Sequence, residues 1–460
     1  MADPSPKLVR PKRPRRRGST AATGVDGARA WLIVAALTVI LMVASGARFL
    51  FGIVLKPVSE QFGWDRAELT GAVLLGTLTL SLCQPLVGFW IDRIGPTKIV
   101  VAGCALLGLA LLPLAAAREL WQVYLFWGVL ASLGLAATSP VNATAFVGRW
   151  FDRKRGTALS VATAGSAFAQ LLIVPVGAWT MTVTDWQTTY RLLALALLAG
   201  MAPLGLLLLR DGPPRPAPSP GASSGSGSGS GSGSESESTT GPGPEPGAGG
   251  DGVALRTALR APDFWLLALG FVVCGWTMAF PNTHFIAYAD DMGMSVLHAA
   301  NAVSVTAVFS IAGSVLLGLA ADRHKRTSVL ALVYALRGLA FLLLLLLPVG
   351  NLVYLYAVVL GISWTATTPL TAAIAADRYG TRHLGIIFGT MFTFMNLGFG
   401  LGSFVNGAIY DATGGYGLSL VLNVLLGVVA TVGVLAVDKA PKLLPARAAE
   451  RRRAAVPAAD

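Results

Sequence analysis

Long apolar runs constrain this 460-residue chain more than any other feature of its sequence. Because the hydrocarbon layer of a membrane is about 30 Å thick, an α-helix needs about 20 mostly apolar residues to cross it. Only 13% of the residues are charged, whereas a soluble domain has about 25%. The sequence therefore predicts an all-α polytopic membrane protein. Its twelve expected spans are 31–56, 67–91, 97–117, 119–147, 156–180, 187–209, 263–289, 296–320, 327–348, 350–375, 383–409 and 416–437.

Positively charged residues are distributed unevenly between the two sides of the predicted bundle. The side that carries both termini holds 29 of the 35 Lys and Arg residues. The loops of the other side hold only Lys56, Arg66, Arg118 and Arg191. Because cytoplasmic loops are enriched in Lys and Arg, we expect both termini in the cytoplasm and the bundle in the cell inner membrane. Nucleic acid is not expected as a partner, since the basic residues form no single face or groove.

A polar linker separates the first six spans from the last six. Residues 213–252 include a Gly-Ser alternation and have almost no apolar side chains to bury, so we expect a flexible cytoplasmic tether. The apolar run that begins at Trp31 is longer than the core of a signal peptide and is interpreted as a retained helix. The expected organisation is a disordered basic arm at 1–30, a six-helix bundle at 31–210, the linker at 211–255, a second bundle at 256–438 and a basic tail at 439–460.

Charged motifs recur at equivalent places in the two halves. The motif after the second span comprises Gly88, Asp92, Arg93, Gly95 and Lys98, and its copy after the eighth span comprises Gly318, Asp322 and Arg323. A second cluster, Asp152, Arg153 and Arg155, follows the fourth span and has a counterpart, Asp377 and Arg382, after the tenth. Such repetition indicates two versions of one six-helix unit.

In these motifs the chain resembles the major facilitator superfamily, whose members carry Gly-x-x-x-Asp-Arg-x-Gly and further basic residues after helix 2. The resemblance implies a fold of two pseudo-symmetric six-helix bundles. It also implies that both sets of charged residues form a cytoplasmic gate, in which Asp92 or Asp322 pairs with an Arg or caps a helix. The alternative is that the clusters are plain topogenic turns.

A narrower likeness is to the bacterial branch near the monocarboxylate and oxalate/formate carriers. It includes Arg48-Phe-Leu-Phe-Gly52, Phe62-Gly63-Trp64-Asp65-Arg66 and Tyr410-Asp411-x-Thr-Gly414. The carriers that this chain resembles place an Arg in helix 8, but residues 295–320 contain none. We therefore expect Arg48 to substitute for it.

Arg48 is the main candidate for substrate binding. A cation within a span is costly unless it faces water or a partner, and the planar guanidinium suits a carboxylate. The alternative is snorkelling, since Arg48 lies about two turns from Lys56 at the outer end of its span. Arg337, in the ninth span, is instead expected to contact lipid headgroups or brace a loop.

His284 is the candidate for proton coupling. It follows Pro281 and Asn282 in the seventh span, and an imidazole titrates near neutral pH. We expect it to line the cavity and bind substrate; the alternative is a satisfied hydrogen-bonding histidine. Asp290 and Asp291, at the outer end of this span, are expected to be solvated. The other substrate candidates are polar or aromatic, of types that also serve interhelical hydrogen bonds: Tyr124, Asn142, Gln170, Asn282, Asn301, Trp364 and Asn396.

Several function classes are disfavoured by missing motifs. The sequence has no Gly-x-x-x-x-Gly-Lys-Ser/Thr for ATP and no His-Glu-x-x-His, so we expect neither an enzyme nor a metal or other cofactor. We predict a secondary active transporter that works as a monomer in membrane lipid. It would move a small organic anion, a monocarboxylate, with protons by alternating access. The alternatives are a proton-driven exporter of amphipathic compounds and a transporter-like membrane sensor.

Overall fold

The computed structural model describes residues 27–139, 142–143, 146–147, 150–151, 154–211, 253–347, 350, 352–380 and 383–441. Within these ranges, twelve helices are long and apolar enough to cross a membrane, which confirms the number predicted. They are α1 (Ala28–Phe62), α2 (Arg66–Ile94), α3 (Pro96–Leu114), α4 (Leu120–Ala137), α5 (Thr157–Val183), α6 (Trp186–Leu208), α7 (Pro262–Asp291), α8 (Val296–Arg323), α9 (Arg326–Leu346), α10 (Val353–Tyr379), α11 (Leu384–Thr413) and α12 (Gly417–Val437). Residues 1–26, 212–252 and 442–460 of the predicted arm, linker and tail lie outside the described ranges.

The helices form two bundles of six, α1–α6 and α7–α12. Because successive helices alternate in direction, α1 begins and α12 ends on the same side of the molecule, here called the terminus side. The opposite side, which carries the α1–α2, α7–α8 and α11–α12 connections, is called the far side. Among the described residues, the most extensive contacts between the halves are those of α1 with α7, α2 with α11, and α5 with α8.

Glycines allow close packing at equivalent places in the two halves. A Cβ atom on Gly165 of α5 would lie 2.5 Å from the Thr38 carbonyl oxygen of α1. In the second half, a Cβ atom on Gly275 of α7 would overlap the Met395 carbonyl oxygen of α11. The pair α1–α5 is the counterpart of α7–α11, so both bundles use a small residue at the same kind of crossing.

On the terminus side, the start of α3 is stabilised by a contact with the residue that follows α6. Gly95, between α2 and α3, has a φ of +91°, and a Cβ atom there would overlap the Asp211 carboxylate that follows α6. The same carboxylate accepts a hydrogen bond from the backbone N–H of Thr97 at 3.0 Å. Because the first N–H groups of a helix lack partners within it, Asp211 stabilises the start of α3.

Two helices of the second half are irregular at mid-depth. In α7, the turn at Phe280–His284 widens around Pro281, which has no N–H to donate. In α10, Thr365 and Ala366 interrupt the helix between the segments Val353–Trp364 and Thr367–Tyr379. Such breaks leave backbone carbonyls that need other donors, and they position the side chains described below.

Candidate functional site: the interface between the halves

Ion pairs join the two halves on the far side. Lys56 Nζ of α1 lies 2.6 Å from Asp290 Oδ2 and 3.0 Å from Asp291 Oδ1, both at the end of α7. Arg66 Nη1, at the start of α2, lies 2.7 Å from Asp291 Oδ2. The side chains of Asp290 and Asp291 are 35% and 21% exposed, so the expectation that they are solvated holds in part, but both also pair with cations from the other half of the chain.

Arg66 is the most heavily contacted residue of this far-side closure, although sequence reasoning did not select it. The residue is 4% exposed, and its guanidinium carbon lies 3.7 Å from the ring centroid of Tyr410 on α11. The Asp411 carboxylate accepts hydrogen bonds from the backbone N–H groups of Arg66 (3.0 Å) and Ala67 (2.7 Å). A signal was present, because Asp65-Arg66 and Tyr410-Asp411 belong to the two local patterns shared with carriers, but no rule of spacing connects positions 345 residues apart.

His284 is connected to Arg66 through a single hydroxyl group. Arg66 Nη1 donates to Tyr416 Oη at 2.9 Å, and that hydroxyl lies 3.0 Å from His284 Nδ1. His284 Nε2 lies 2.7 Å from the Ser403 carbonyl oxygen, which can only accept. Nε2 therefore carries a proton, and Tyr416 donates to Nδ1 of a neutral ring. Burial raises the pKa of the Tyr416 phenol above its ordinary value, so this hydroxyl keeps the proton that it donates.

Arg48 lies at mid-depth between the halves. Its side chain is exposed, and its guanidinium carbon is 4.5 Å from the ring centroid of Phe399 on α11. One turn further along the same face of α1, Gly52 packs against α7: a Cβ atom there would lie 2.4 Å from the Asn282 carbonyl oxygen. Arg48 thus lies at the interface between the halves, and its role in substrate binding stays a prediction.

A small pocket lies between α5 of the first half and α7, α8 and α10 of the second half, and Arg48 is not among its lining residues. None of its lining residues is charged: they are Gln170, Pro281, Asn282, Phe285, Val303, Thr306, Tyr356, Leu360 and Trp364. Three predicted substrate residues, Gln170, Asn282 and Trp364, therefore come together. They belong to α5, α7 and α10.

Other predicted substrate residues do not line this pocket. His284 is 0% exposed, so it is a satisfied core residue in this conformation. Tyr124 lies near the start of α4, on the far side, where its hydroxyl donates to the Glu68 carbonyl oxygen at 2.8 Å. Asn142 is fully buried and bonds the Ala137 carbonyl oxygen through Nδ2. Asn301 is exposed near the far-side start of α8, and Asn396 is half-buried on α11.

The predicted gate residues lie on the terminus side, where the hydrogen bonds and ion pairs of the described residues stay within one half. Arg93 stacks 4.4 Å from the ring centroid of Phe89 on its own helix, and Asp377 pairs with Arg326 at 2.7 Å. Gly88 and Gly318 are half-buried, whereas Lys98, Asp322 and Arg323 are exposed. Asp152, Arg153, Arg382 and the side chains of Asp92 and Arg155 lie outside the described residues.

The two sides of the interface therefore differ. On the far side α2 and α11 touch closely, since a Cβ atom on Gly407 would lie 2.9 Å from the backbone of Ala67. Towards the terminus side the same helices expose Leu86 (58%) and Ile386 (56%). The structure represents a far-side-closed conformation, in which a terminus-side latch would not be engaged.

Arg337 corrects another expectation. It is 0% exposed rather than at the lipid surface, and it lies at the interruption of α10. Nη2 donates to the carbonyl oxygens of Ser363 (2.7 Å) and Trp364 (3.2 Å) and to Thr367 Oγ1 (3.2 Å). Nη1 lies 3.1 Å from Cys274 Sγ on α7. Arg337 thus holds α7, α9 and both segments of α10 together.

Comparisons with known proteins agree with this architecture. The chain is 25% identical over 402 residues to the "Uncharacterized MFS-type transporter YcxA" of Bacillus subtilis, covering 84% of this chain and 90% of the relative. It is 26% identical over 415 residues to human "Monocarboxylate transporter 11", covering 86% and 80%. A solved bacterial homolog of the human lysosomal transporter Spinster, inward-facing and unoccupied, has the same fold, with a TM-score of 0.67, 17% identity and coverage of 90% and 97%. The family model "Major Facilitator Superfamily" matches residues 37–309 and 266–459, so the chain belongs to this superfamily of transporters.

Proposed function

We propose that this transporter moves a small monocarboxylate together with protons across the cell inner membrane by alternating access. In this proposal both termini are cytoplasmic, so the far side faces the outside of the cell. The chain works as a monomer surrounded by lipid. The observation that carries the proposal is the exposed guanidinium of Arg48 at mid-depth between the halves.

Arg48 has the chemistry and the position to receive a carboxylate. It lies about 21 Å along α1 from Phe62, which is far from either end of a bilayer-spanning helix. A cation at this depth is costly unless it has water or a partner, and its fork matches the two oxygens of a carboxylate. The similarity to a protein named as a monocarboxylate transporter supports the same substrate class.

Alternating access is supported by the difference between the two sides of the interface. Substrate from outside can reach Arg48 only when the Lys56 and Arg66 ion pairs with α7 separate. The halves would then approach each other on the terminus side. There the clusters around Asp92 and Asp322 would act as the cytoplasmic gate. In one transport cycle, the far side and the terminus side would close in turn.

Proton coupling is assigned to His284 because its protonation depends on the same closure. In the far-side-closed conformation both ring nitrogens are engaged, one by Tyr416 and one by the Ser403 carbonyl. A second proton on Nδ1 requires the Tyr416 hydroxyl to turn away. Separation of the halves would permit this, so proton uptake would accompany opening to the outside.

The direct test is uptake by the full chain in proteoliposomes that contain a pH-sensitive dye. With an acidic exterior, we expect entry of lactate or pyruvate together with protons, and loss of at least tenfold of this uptake in Arg48→Ala. Arg118→Ala is the matched control, because Arg118 is an exposed cation in the α3–α4 connection, outside the interface. Uptake unaffected by Arg48→Ala would remove its assigned role, and absence of uptake for a panel of monocarboxylates would reject the substrate class.

Export of amphipathic compounds is the second candidate, favoured by the aromatic residues Phe285, Tyr356 and Trp364 of the uncharged pocket. The same vesicles distinguish the two functions. Proton-driven extrusion of tetraphenylphosphonium that persists in Arg48→Ala would favour export. Carboxylate uptake that requires Arg48 would favour the first proposal.

A further inference from the structure

The far-side closure and the histidine assigned to proton coupling share one hydroxyl group, and this connection carries a further inference. Tyr416 Oη accepts from Arg66 of the first half and lies next to His284 Nδ1 of the second half. No other residue of the first half that the structure describes hydrogen-bonds to Tyr416 or His284. The guanidinium therefore brings a positive charge to the second half only while the far side is closed.

We infer that two positive charges alternate next to the Tyr416 hydroxyl during transport: the guanidinium of Arg66 and a proton on His284. This inference rests on the proposed proton coupling. When the far side is closed, Arg66 holds Tyr416, and the ring of His284 is neutral. When the halves separate, Arg66 leaves with α2, Tyr416 turns, and His284 Nδ1 binds a proton from water. When the far side closes again, the returning guanidinium displaces that proton. One positive charge therefore lies next to Tyr416 in both states.

The surroundings of His284 support the replacement of the Arg66 charge by one proton on the imidazole. The titratable and charged groups around it are Tyr416 before α12, Arg66 on α2, Tyr410 on α11, Asp291 and Tyr288 on α7, and Lys56 on α1 beyond Asp291. No carboxylate among the described residues hydrogen-bonds directly to the imidazole. Two adjacent cations in a buried site repel strongly, so Arg66 and an imidazolium disfavour each other.

Lys56 provides a matched control within the same closure. It pairs with Asp290 and Asp291, as Arg66 pairs with Asp291, but it forms no hydrogen bond with Tyr416 or His284 among the described residues. Loss of either cation should weaken the far-side closure. Only loss of Arg66 should also remove the cation next to Tyr416 that disfavours a proton on His284 before the halves separate.

The experiment measures far-side opening against pH in the full chain, without any substrate. Spin labels on Ala116→Cys and Leu352→Cys report the separation of the halves, since both positions are exposed in far-side loops. Cys83 is replaced by Ser beforehand, whereas Cys104 and Cys274 are buried. Distances are recorded by double electron–electron resonance in nanodiscs between pH 8 and pH 5.

For the unmodified network, we expect the open-to-closed ratio to rise by up to about tenfold for each unit of falling pH, as linkage to one proton requires. Lys56→Gln should raise the open fraction and keep this slope. Arg66→Gln should raise the open fraction and flatten the slope without abolishing it, because burial of the ring still disfavours an imidazolium in the closed conformation, and His284→Gln should lose the slope.

A slope in Arg66→Gln as steep as in Lys56→Gln, or opening that is independent of pH in the unmodified network, would overturn the inference. The predicted set of slopes without any carboxylate uptake would instead reject only the proposed substrate class. If His284→Gln fails to fold, the comparison of Arg66→Gln with Lys56→Gln decides the question alone.

Discussion

Arg48 and Arg337 are both arginines within apolar helices, yet their surroundings differ in almost every respect. Arg48 is exposed between the halves and stacks on Phe399. Arg337 is completely buried within the second half, where it donates to four oxygen atoms of α10 and α7. The first side chain is exposed at the interface, whereas the second is enclosed and donates to the protein.

The difference shows how a buried cation is tolerated without a carboxylate among its described contacts. Ser363 and Trp364 end the first segment of α10, and their carbonyl oxygens lie at the negative end of that segment's dipole. Arg337 donates to both oxygens and to Thr367 at the start of the second segment. The interruption of α10 and the arginine on α9 therefore require each other.

The largest expected effect follows from Arg337→Gln. Loss of the guanidinium leaves several buried oxygen atoms without a donor, at a cost of about 1–3 kcal/mol for each. We expect a fall in the free energy of unfolding of about 3–5 kcal/mol, with Arg337→Lys intermediate. The thermal unfolding midpoint in detergent measures this loss. A midpoint equal to that of the original chain would show that the interruption of α10 does not depend on Arg337.

Arg48→Gln should have the opposite pattern. We expect carboxylate uptake to fall at least tenfold, which corresponds to about 1.4 kcal/mol or more. The unfolding midpoint should remain unchanged, because this side chain is exposed. Uptake kinetics and thermal unfolding on one preparation test both expectations. A large loss of stability would place Arg48 in the same structural class as Arg337.

Two glycines next to these arginines sharpen the comparison. A Cβ atom on Gly52 would lie 2.4 Å from a backbone oxygen of the other half, whereas on Gly338 its nearest neighbour would be 3.6 Å away. Gly52→Ala should therefore separate the far-side loops at neutral pH, as measured by the labels at Ala116 and Leu352. Gly338→Ala should leave that distance unchanged. Equal distances for the two variants would contradict the assignment of Gly52 to a moving interface.

The smallest expected effect concerns the ring against which Arg48 stacks. A cation–π contact contributes about 0.5–1 kcal/mol at an accessible site. Phe399→Leu should therefore raise the KM for carboxylate uptake about two- to fivefold with little change in kcat. A change confined to kcat would indicate that Phe399 acts on the movement of the halves instead.

Apolar length was enough to predict the twelve helices, and a charge at mid-depth was enough to select Arg48. The surroundings of Arg337 were not predictable in the same way, because its acceptors are backbone oxygens exposed by an interruption of α10. The ion pairs of Asp290 and Asp291 were not predicted, since a charged pair at the end of a span is as typical of a solvated loop as of an ion pair. Their partner Arg66 lies 225 residues away, and sequence spacing gives no measure of that proximity.

The contacts of the gate and substrate residues were difficult to predict for another reason. A sequence is the same in every conformation, whereas contacts between the halves form on one side only at a time. Gln170, Asn282 and Trp364 come together at the interface in this structure, but Tyr124 and Asn142 use their polar atoms on neighbouring backbone. Residue type alone does not distinguish these two uses.

The position of Asp411 affects what happens to the start of α2 when the two halves separate. Its carboxylate covers the first N–H groups of α2, although it belongs to the opposite half of the protein. A different donor, the N–H of Asp65, bonds locally to the Glu68 side chain at 3.1 Å within the first turn of α2. If the halves separate as proposed, the Asp65–Glu68 contact remains, whereas the N–H groups of Arg66 and Ala67 must exchange Asp411 for water.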